Sequence, residues 1–203
     1  MAATKNKNAT PTKRITPHAS TPRSESITRP LGFSRYAAKG FGTLYLVHNE
    51  GGLAFIEFDL EPAVRLVGRR QEIECPAPLK AALDRYFRGE DERFEDVALD
   101  ISGTDFQRRV WEELRRIPYG EVISYGELAE RVGAPTATRA VGNANSKNPV
   151  PILIPCHRVV AVGMRIGGYT GGVRRKVDLL RLEGLQVDGD RVRRKSPGLF
   201  DQR

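Results

Sequence analysis

A thiol, an imidazole and a guanidinium follow one another at Cys156, His157 and Arg158, inside a run that is otherwise apolar from residue 150 to residue 162. A thiol is a strong nucleophile only as its thiolate, and a pKa of about 8.5 leaves only a few per cent of it ionised at neutral pH. A base is therefore needed, and His157 is the candidate. Sequence neighbours rarely face each other, so we expect a bridging water rather than direct contact. A carboxylate usually orients such an imidazole, and Glu183, after a predicted helix over residues 174–182, is the candidate.

A turn-forming pair, Asn148 and Pro149, precedes this group. A buried Asn amide can hydrogen-bond backbone groups on both sides of a turn, whereas a surface turn is the simpler interpretation of the same dipeptide. The second cysteine, Cys75, is interpreted as an ordinary loop cysteine, and the two cysteines and three histidines form no zinc-ligand spacing. We therefore expect a reduced, working thiol at Cys156, with no metal and no cofactor.

The net charge of +8 is unevenly distributed along the chain. Residues 1–30 carry six Lys or Arg against one Glu, and their polar composition predicts a disordered basic tail, which serves either solubility or nonspecific nucleic-acid binding. Residues 134–176 carry seven basic residues and no Asp or Glu. A stretch of one charge sign around the Cys-His pair predicts a polyanionic partner.

Length and hydropathy limit the class of protein. The chain has 203 residues, 39% of them hydrophobic, which suffices for one substantial core or two small ones. No apolar run approaches the about 18 to 20 residues that cross a bilayer, and the N-terminus lacks the apolar segment of a secretory leader. These features predict an intracellular, cytoplasmic protein without membrane contact.

Residues 31–100 are expected to form a small α/β unit that supports the rest of the chain. Its predicted elements are strands over residues 43–48, 53–58 and 94–99 and a helix from Leu79 to Phe87. The first two strands flank a hairpin loop, and Gly89 ends the helix. No catalytic group is expected in this unit.

Residues 101–186 are predicted to be mostly helical. The first helix has a core-packing face, formed by Phe106, Val110, Trp111 and Leu114. Ser124 and Glu127 form a capping box for a second helix, and Thr136 is expected to cap a third that carries Arg139. The second and third helices have helix-turn-helix spacing, and the small residues near Arg139 would let the backbone of the third helix approach DNA closely. Such pairs also occur as plain packing units, and the basic stretch is what favours nucleic acid.

The segment between the helix pair and the cysteine is predicted in two parts. A polar loop over residues 143–149 leads into a buried strand or extended run over residues 150–154, which delivers Cys156. Residues 187–203 are expected to form a C-terminal tail.

Seven motifs resemble, in the same order, those of the O6-alkylguanine-DNA alkyltransferases, also called methylated-DNA-protein-cysteine methyltransferases. They are GTDFQ at 103–107, GEVISY at 120–125, RAVG at 139–142, NPVP at 148–151, IPCHRVV at 154–160, GYTGG at 168–172 and EG at 183–184. The N-terminal unit is only loosely similar to the family. The resemblance implies an α/β (α+β) fold, with a small ribonuclease-H-like N-terminal domain and a mostly helical C-terminal domain that holds the helix-turn-helix and the active-site cysteine.

The resemblance also implies direct-reversal DNA repair. The alkyl group of O6-alkylguanine, and of O4-alkylthymine, would move irreversibly from double-stranded DNA to Cys156. His157 would take the thiol proton through a water, with Glu183 orienting the imidazole. Asn148 would brace the turn that carries the cysteine, and Tyr125 would donate to the departing guanine.

Further residues are implied to bind the substrate. The backbone carbonyls of Cys156 and Val159 would read the exocyclic amine of the base, and Tyr169 and Thr170 would form the pocket wall. Thr170 replaces the Ser of many relatives, which narrows the pocket slightly. In this family the recognition helix enters the minor groove.

Two positions on that helix carry the DNA contact that the resemblance implies. Arg139 would enter the stack as the flipped nucleotide leaves it, and the small face around Gly142 would lie against the groove.

The product of this chemistry is a thioether, which offers no good leaving group for hydrolysis. Each molecule, expected to be a monomer associated with the nucleoid through DNA, would therefore react once. Three other classes remain open: a helix-turn-helix regulator that binds DNA without using Cys156, a lesion-binding protein without alkyl transfer, and a Cys-His hydrolase with repeated turnover.

Overall fold

The computed structural model describes residues 31–68 and 72–193, and the predicted basic tail over residues 1–30 lies outside them. The N-terminal unit begins with three strands, β1 (Gly32–Ala38), β2 (Gly42–Asn49) and β3 (Gly52–Glu57). They form an antiparallel sheet in the order β1-β2-β3, so the predicted hairpin is confirmed. Strand β1 was not predicted, because its buried and exposed residues alternate over only part of its length.

Two helices follow the sheet, α1 (Leu60–Val67) and α2 (Ala77–Phe87). The second was predicted. It starts after Pro76 and ends before Gly89, which has a φ of 85° that a glycine adopts without strain. Its buried face contains Leu79, Leu83 and Tyr86, so this helix contributes to the core.

The predicted strand over residues 94–99 is wrong. Within the described part of the chain this segment pairs only through an isolated bridge between Leu53 and Leu99. Phe94 has a φ of 55°, which is incompatible with a strand, and its ring packs 5.6 Å from that of Tyr86. Burial of one aromatic ring therefore prevails over the strand propensity of the segment.

The C-terminal unit begins with α3 (Asp105–Arg115), β4 (Ile123–Ser124), α4 (Tyr125–Arg131) and α5 (Thr138–Ser146). The Ser124 capping box at the start of α4 is confirmed, because its hydroxyl accepts from Glu127 N and the Glu127 side chain accepts from Ser124 N. Trp111 on α3 is buried and donates its indole N–H to Ala144 O at 2.9 Å. This bond fixes α5 against the core.

Two predictions about α5 are wrong. Thr136 does not cap the helix, which begins after Ala137 without a side-chain cap. The polar loop expected from residue 143 begins later, because α5 continues to Ser146. Its polar residues include Asn145, which is buried on the face that packs inward, so contact with the core extends the helix through a polar stretch.

The remaining elements surround the cysteine. Residues 150–154 are buried, as predicted, but they form a turn with a bridge between Pro151 and Ile154. Next come a 3₁₀ turn (Cys156–Arg158), β5 (Val159–Val160), a second 3₁₀ turn (Val162–Met164), the predicted helix α6 (Val173–Leu182), and a hairpin of β6 (Gln186–Asp188) and β7 (Arg191–Arg193). The β6–β7 hairpin lies largely within the expected C-terminal tail, whose residues 194–203 are outside the described residues.

One buried cluster connects the two units. It includes Leu46 of the sheet, Tyr86 of α2, Trp111 of α3 and Cys156. The site cysteine therefore belongs to a core that both units build.

Candidate active site

Cys156 opens the 3₁₀ turn at the end of the buried segment. The residue is 4% exposed, and its N–H donates to Ile154 O at 2.8 Å. It lines a cavity of about 540 Å³, whose wall also includes Pro151, Gly171 and, from the N-terminal unit, Phe58. Burial raises the pKa of the thiol to about 11, against smaller effects of the opposite sign. The resting sulfur is therefore a neutral thiol that needs a proton acceptor.

Asn148 ties the turn that carries the cysteine. Its Nδ2 donates to Ile154 O at 2.7 Å, and its Oδ1 accepts from Val150 N at 3.1 Å. The residue is 8% exposed, so the surface-turn interpretation does not hold. Two buried backbone groups depend on this amide.

His157 is fully buried beside the cysteine. Its Nε2 lies 2.7 Å from Glu183 Oε1, and its Nδ1 has no hydrogen-bond partner in the described part of the chain. Because a carboxylate accepts, Nε2 carries the proton and Nδ1 is the basic nitrogen. Burial lowers the pKa of His157, against the opposing effect of Glu183. The imidazole is therefore available as a neutral base.

Glu183, just after α6, accepts hydrogen bonds from three further groups. Arg158 donates from Nε to Oε2 at 2.9 Å and from Nη2 to Oε1 at 3.0 Å, Tyr86 donates its hydroxyl to Oε1 at 2.8 Å, and Gly120 N donates to Oε2 at 3.3 Å. Burial would raise the pKa of Glu183, but His157 and Arg158 lower it to about 2. The carboxylate is a fixed anion.

Tyr86 is a site residue that the sequence does not predict. An aromatic residue at helical spacing is explained by core packing alone, and its hydroxyl partner is 97 positions away. Burial and the nearby Glu183 raise the pKa of Tyr86 well above its ordinary value, so the hydroxyl stays protonated and donates.

Two of the seven basic residues in the acid-free stretch are buried. Arg158 completes its contacts by donating to Ile117 O at 2.6 Å. Lys176, on α6, is fully buried and donates its Nζ to Val159 O at 2.5 Å and to Gly168 O at 3.4 Å. Burial lowers the pKa of Lys176 to about 8. The charge of this stretch is therefore divided between its surface and the surroundings of the cysteine.

Tyr125 and Gly142 lie together where α4 meets α5. Tyr125 is half-buried, and burial raises its pKa, with Cys156 acting in the same direction and a hydrogen bond with Asn145 opposing it. A Cβ added at Gly142 would lie 3.8 Å from the Tyr125 ring. These residues connect the helix pair to the cysteine.

Tyr169 and Thr170 stand on the segment before α6. The Tyr169 ring is 6.5 Å from the His157 ring, and its buried hydroxyl has no hydrogen-bond partner among the described residues. The exposed Thr170 donates its hydroxyl to Ser146 O at 2.9 Å. The structure therefore places both residues beside the site, one facing the imidazole and one at the end of α5.

Arg139 lies apart from this cluster, exposed in the first turn of α5. In residues 31–68 and 72–193 no hydrogen bond or ion pair joins it to Cys156, His157 or Glu183.

Comparison with known proteins assigns the chain to a family. The family model described as "6-O-methylguanine DNA methyltransferase, DNA binding domain" matches residues 105–185, and the corresponding "ribonuclease-like domain" matches residues 34–101. The methylated-DNA–protein-cysteine methyltransferase of Mycobacterium leprae is 50% identical over 135 residues, covering 66% of this chain and 80% of its own. The chain belongs to the methylated-DNA–protein-cysteine methyltransferase family.

Other members of the family cover more of the chain. The methyltransferase of Haemophilus influenzae is 35% identical over 167 residues, covering 81% of this chain and 93% of its own. The crystal structure of Mycobacterium tuberculosis OGT in complex with DNA has a TM-score of 0.63 and 40% identity, covering 75% of this chain and 92% of its own. The predicted family and the predicted mixed fold with a ribonuclease-like N-terminal domain are thus confirmed.

None of the helices in residues 31–68 and 72–193 has the length and apolar character to cross a membrane. The same residues contain no group of three or more His, Cys, Asp or Glu side chains that could hold a metal ion.

Proposed function

We propose that this chain repairs alkylated DNA by direct reversal, as a methylated-DNA-protein-cysteine S-methyltransferase. The alkyl group of O6-alkylguanine, or of O4-alkylthymine, moves from double-stranded DNA to Cys156. One observation carries the proposal. The buried thiol of Cys156 lines a cavity, and the Nε2 atom of the neighbouring His157 imidazole is hydrogen-bonded to the Glu183 carboxylate.

The reaction is one in-line displacement. The thiol proton passes through a water to His157 Nδ1, and the imidazolium ion is stabilised by Glu183. The sulfur attacks the alkyl carbon, the C–S bond forms, and the C–O6 bond breaks with its electron pair going to the base. Tyr125 donates to the departing guanine as negative charge develops there.

Asn148 has a positioning role in this scheme, because its two hydrogen bonds fix the turn before the cysteine. The backbone carbonyl oxygens of Cys156 and Val159 accept hydrogen bonds from the exocyclic amine of the base. Val159 O already accepts from Lys176, and a carbonyl oxygen has a second lone pair for the base. Tyr169 and Thr170 form the remaining wall.

The helix pair delivers the lesion. The alkyl carbon is out of reach inside a duplex, so the nucleotide must leave the stack, and the exposed Arg139 takes its place. Gly142 has no side chain, so the backbone of α5 can approach the minor groove closely. The protein acts as a monomer in the cytoplasm, in contact with the nucleoid, and each molecule reacts once because the thioether is not hydrolysed.

An intact-mass experiment tests the reaction. The protein and a Cys156→Ser variant are each incubated with a duplex that carries labelled O6-methylguanine. We expect one methyl group on the protein, mapped to Cys156, with label leaving the DNA in a single turnover, and none on the variant. Unlabelled protein that still binds the duplex would instead support a lesion-binding or regulatory helix-turn-helix protein, and sustained release of label would support a hydrolase.

A second experiment tests the flipping role. Arg139→Ala should slow repair of duplex DNA much more than reaction with free O6-benzylguanine, which needs no flipping. Arg165→Ala is the control, because that exposed arginine belongs to the same basic stretch but pairs with Asp190 at 2.7 Å. Equal losses on both substrates for Arg139→Ala would contradict the role.

A further inference from the structure

The N-terminal unit reaches the buried carboxylate through one side chain. The Tyr86 hydroxyl, on α2, donates to Glu183 Oε1 at 2.8 Å. The same oxygen lies 2.7 Å from His157 Nε2, and the hydroxyl lies 3.4 Å from that nitrogen. Tyr86 and His157 are fully buried, and Glu183 is 4% exposed. Donors from both units of the chain therefore meet at one carboxylate oxygen, which also accepts from Arg158 Nη2 at 3.0 Å.

We propose that Tyr86 is a positioning residue for alkyl transfer: its hydroxyl fixes the Glu183 carboxylate so that Oε1 accepts the Nε2 proton of His157 and Nδ1 remains the base. The inference rests on the function proposed above. It changes the role of the N-terminal unit, which supplies part of the reaction centre as well as structural support.

The surroundings hold the hydroxyl in place. The Tyr86 ring packs edge-on against the rings of Phe87 at 5.3 Å and Tyr119 at 6.1 Å, and against the ring of Phe94 at 5.6 Å. A fully buried phenol in such a cage cannot exchange its partner for bulk water. The hydroxyl is therefore committed to Glu183.

The other charged and titratable groups around the carboxylate do not replace this contact. Arg158 bonds both oxygens from the 3₁₀ turn, Tyr119 donates to Leu182 O instead, and Lys176 of α6 donates to backbone carbonyls. Loss of the Tyr86 donor leaves Oε1 with more charge to share with His157. That oxygen then stabilises the imidazolium ion better, so the base stays protonated to higher pH.

The test compares Tyr86→Phe with wild type. The rate constant for alkylation of Cys156 by free O6-benzylguanine is measured by intact mass from pH 5.5 to pH 8.5, and the tautomer of His157 is read from its imidazole ¹⁵N resonances. We expect the variant to react about ten- to 150-fold more slowly at pH 6.5, the range for losing one hydrogen bond to a charged group. The acid limb of its profile should move to higher pH, with altered imidazole resonances.

Tyr36→Phe is the matched control. It removes another tyrosine hydroxyl that donates to a carboxylate of α2, Asp84, at 2.9 Å, away from the site. It should react like wild type. If Tyr86→Phe does not fold, difluorotyrosine at position 86 keeps the ring and strengthens the donor, and the acid limb should then move to lower pH.

Several results would overturn the proposal. An unchanged profile in Tyr86→Phe would do so, and so would a rate lowered equally at every pH with unchanged imidazole resonances, since that pattern indicates packing alone. If wild type accepts no alkyl group, the function proposed above fails, and the resonances still decide about Tyr86: unaltered resonances refute the positioning role, and altered ones support it.

Discussion

Glu183→Gln leaves the Arg158 guanidinium buried opposite a neutral amide. The two residues are 6% and 4% exposed, so water does not replace the lost anion. Removing one partner of such a buried pair costs about 3 to 5 kcal/mol. The pKa of Glu183 gives a second value for this loss of stability. Burial would raise that pKa, but His157 and Arg158 lower it from 4.5 to about 2, which corresponds to about 3 kcal/mol. We therefore expect a loss of about 3 to 5 kcal/mol in the free energy of unfolding at pH 7.

The same pKa predicts how the loss depends on pH. Because the pKa of Glu183 is lower in the folded state than in the unfolded state, its stabilisation is complete above the unfolded value and is lost as pH falls toward 2. In urea unfolding, the difference in the free energy of unfolding between wild type and Glu183→Gln should be about 2 kcal/mol smaller at pH 3 than at pH 7. Glu61→Gln is the control: its side chain is 80% exposed and pairs with Arg65, so less than about 1 kcal/mol is expected. The reasoning would be refuted if Glu183→Gln lost as little free energy of unfolding as Glu61→Gln, or lost the same amount at both pH values.

Three further changes have distinct expected outcomes. Asn148→Ala should cost about 2 to 4 kcal/mol in urea unfolding, because Ile154 O and Val150 N lose their buried partner; a change under about 1 kcal/mol would show that the turn holds itself. Lys176 has a folded-state pKa lowered by burial to about 8, so the unfolding free energy of wild type should rise between pH 8 and pH 9, and Lys176→Met should abolish that rise. Gly142→Ala should raise the unfolding free energy by about 0.5 to 1 kcal/mol, since its Cβ meets nothing closer than 3.8 Å, while it weakens duplex binding in a titration; unchanged binding would mean that α5 does not approach DNA at this residue.

Local chemistry explains which elements the sequence predicts. The Ser124 capping box and the glycine at 89 act within a few residues, and both ends they predict are present. The Thr136 cap failed because α5 starts after Ala137, and the helix extends past residue 143 because Asn145 packs against the core. Contacts with α3 decide that boundary, and a local pattern does not contain them.

The site shows the same division. Cys156, His157 and Glu183 are candidates from side-chain chemistry alone, and the structure brings the imidazole and the carboxylate to 2.7 Å. Tyr86 could not be predicted as a site residue, because its helical spacing is explained by core packing of the ring and indicates no role for the hydroxyl. Lys176 is one of the seven basic residues that predict a polyanionic partner, because composition does not distinguish an exposed lysine from a fully buried one.

The hydrogen bond between Tyr86 and Glu183 also has a consequence during synthesis. Tyr86 leaves the ribosome 97 residues before Glu183, which corresponds to about 5 to 20 s of translation. In that interval α2 and its sheet are already made, and His157, translated 26 residues before Glu183, lacks the carboxylate that fixes its tautomer. A chain released before residue 183 therefore carries the cysteine without a finished base. The nucleophile is activated only in a chain that already contains residue 183.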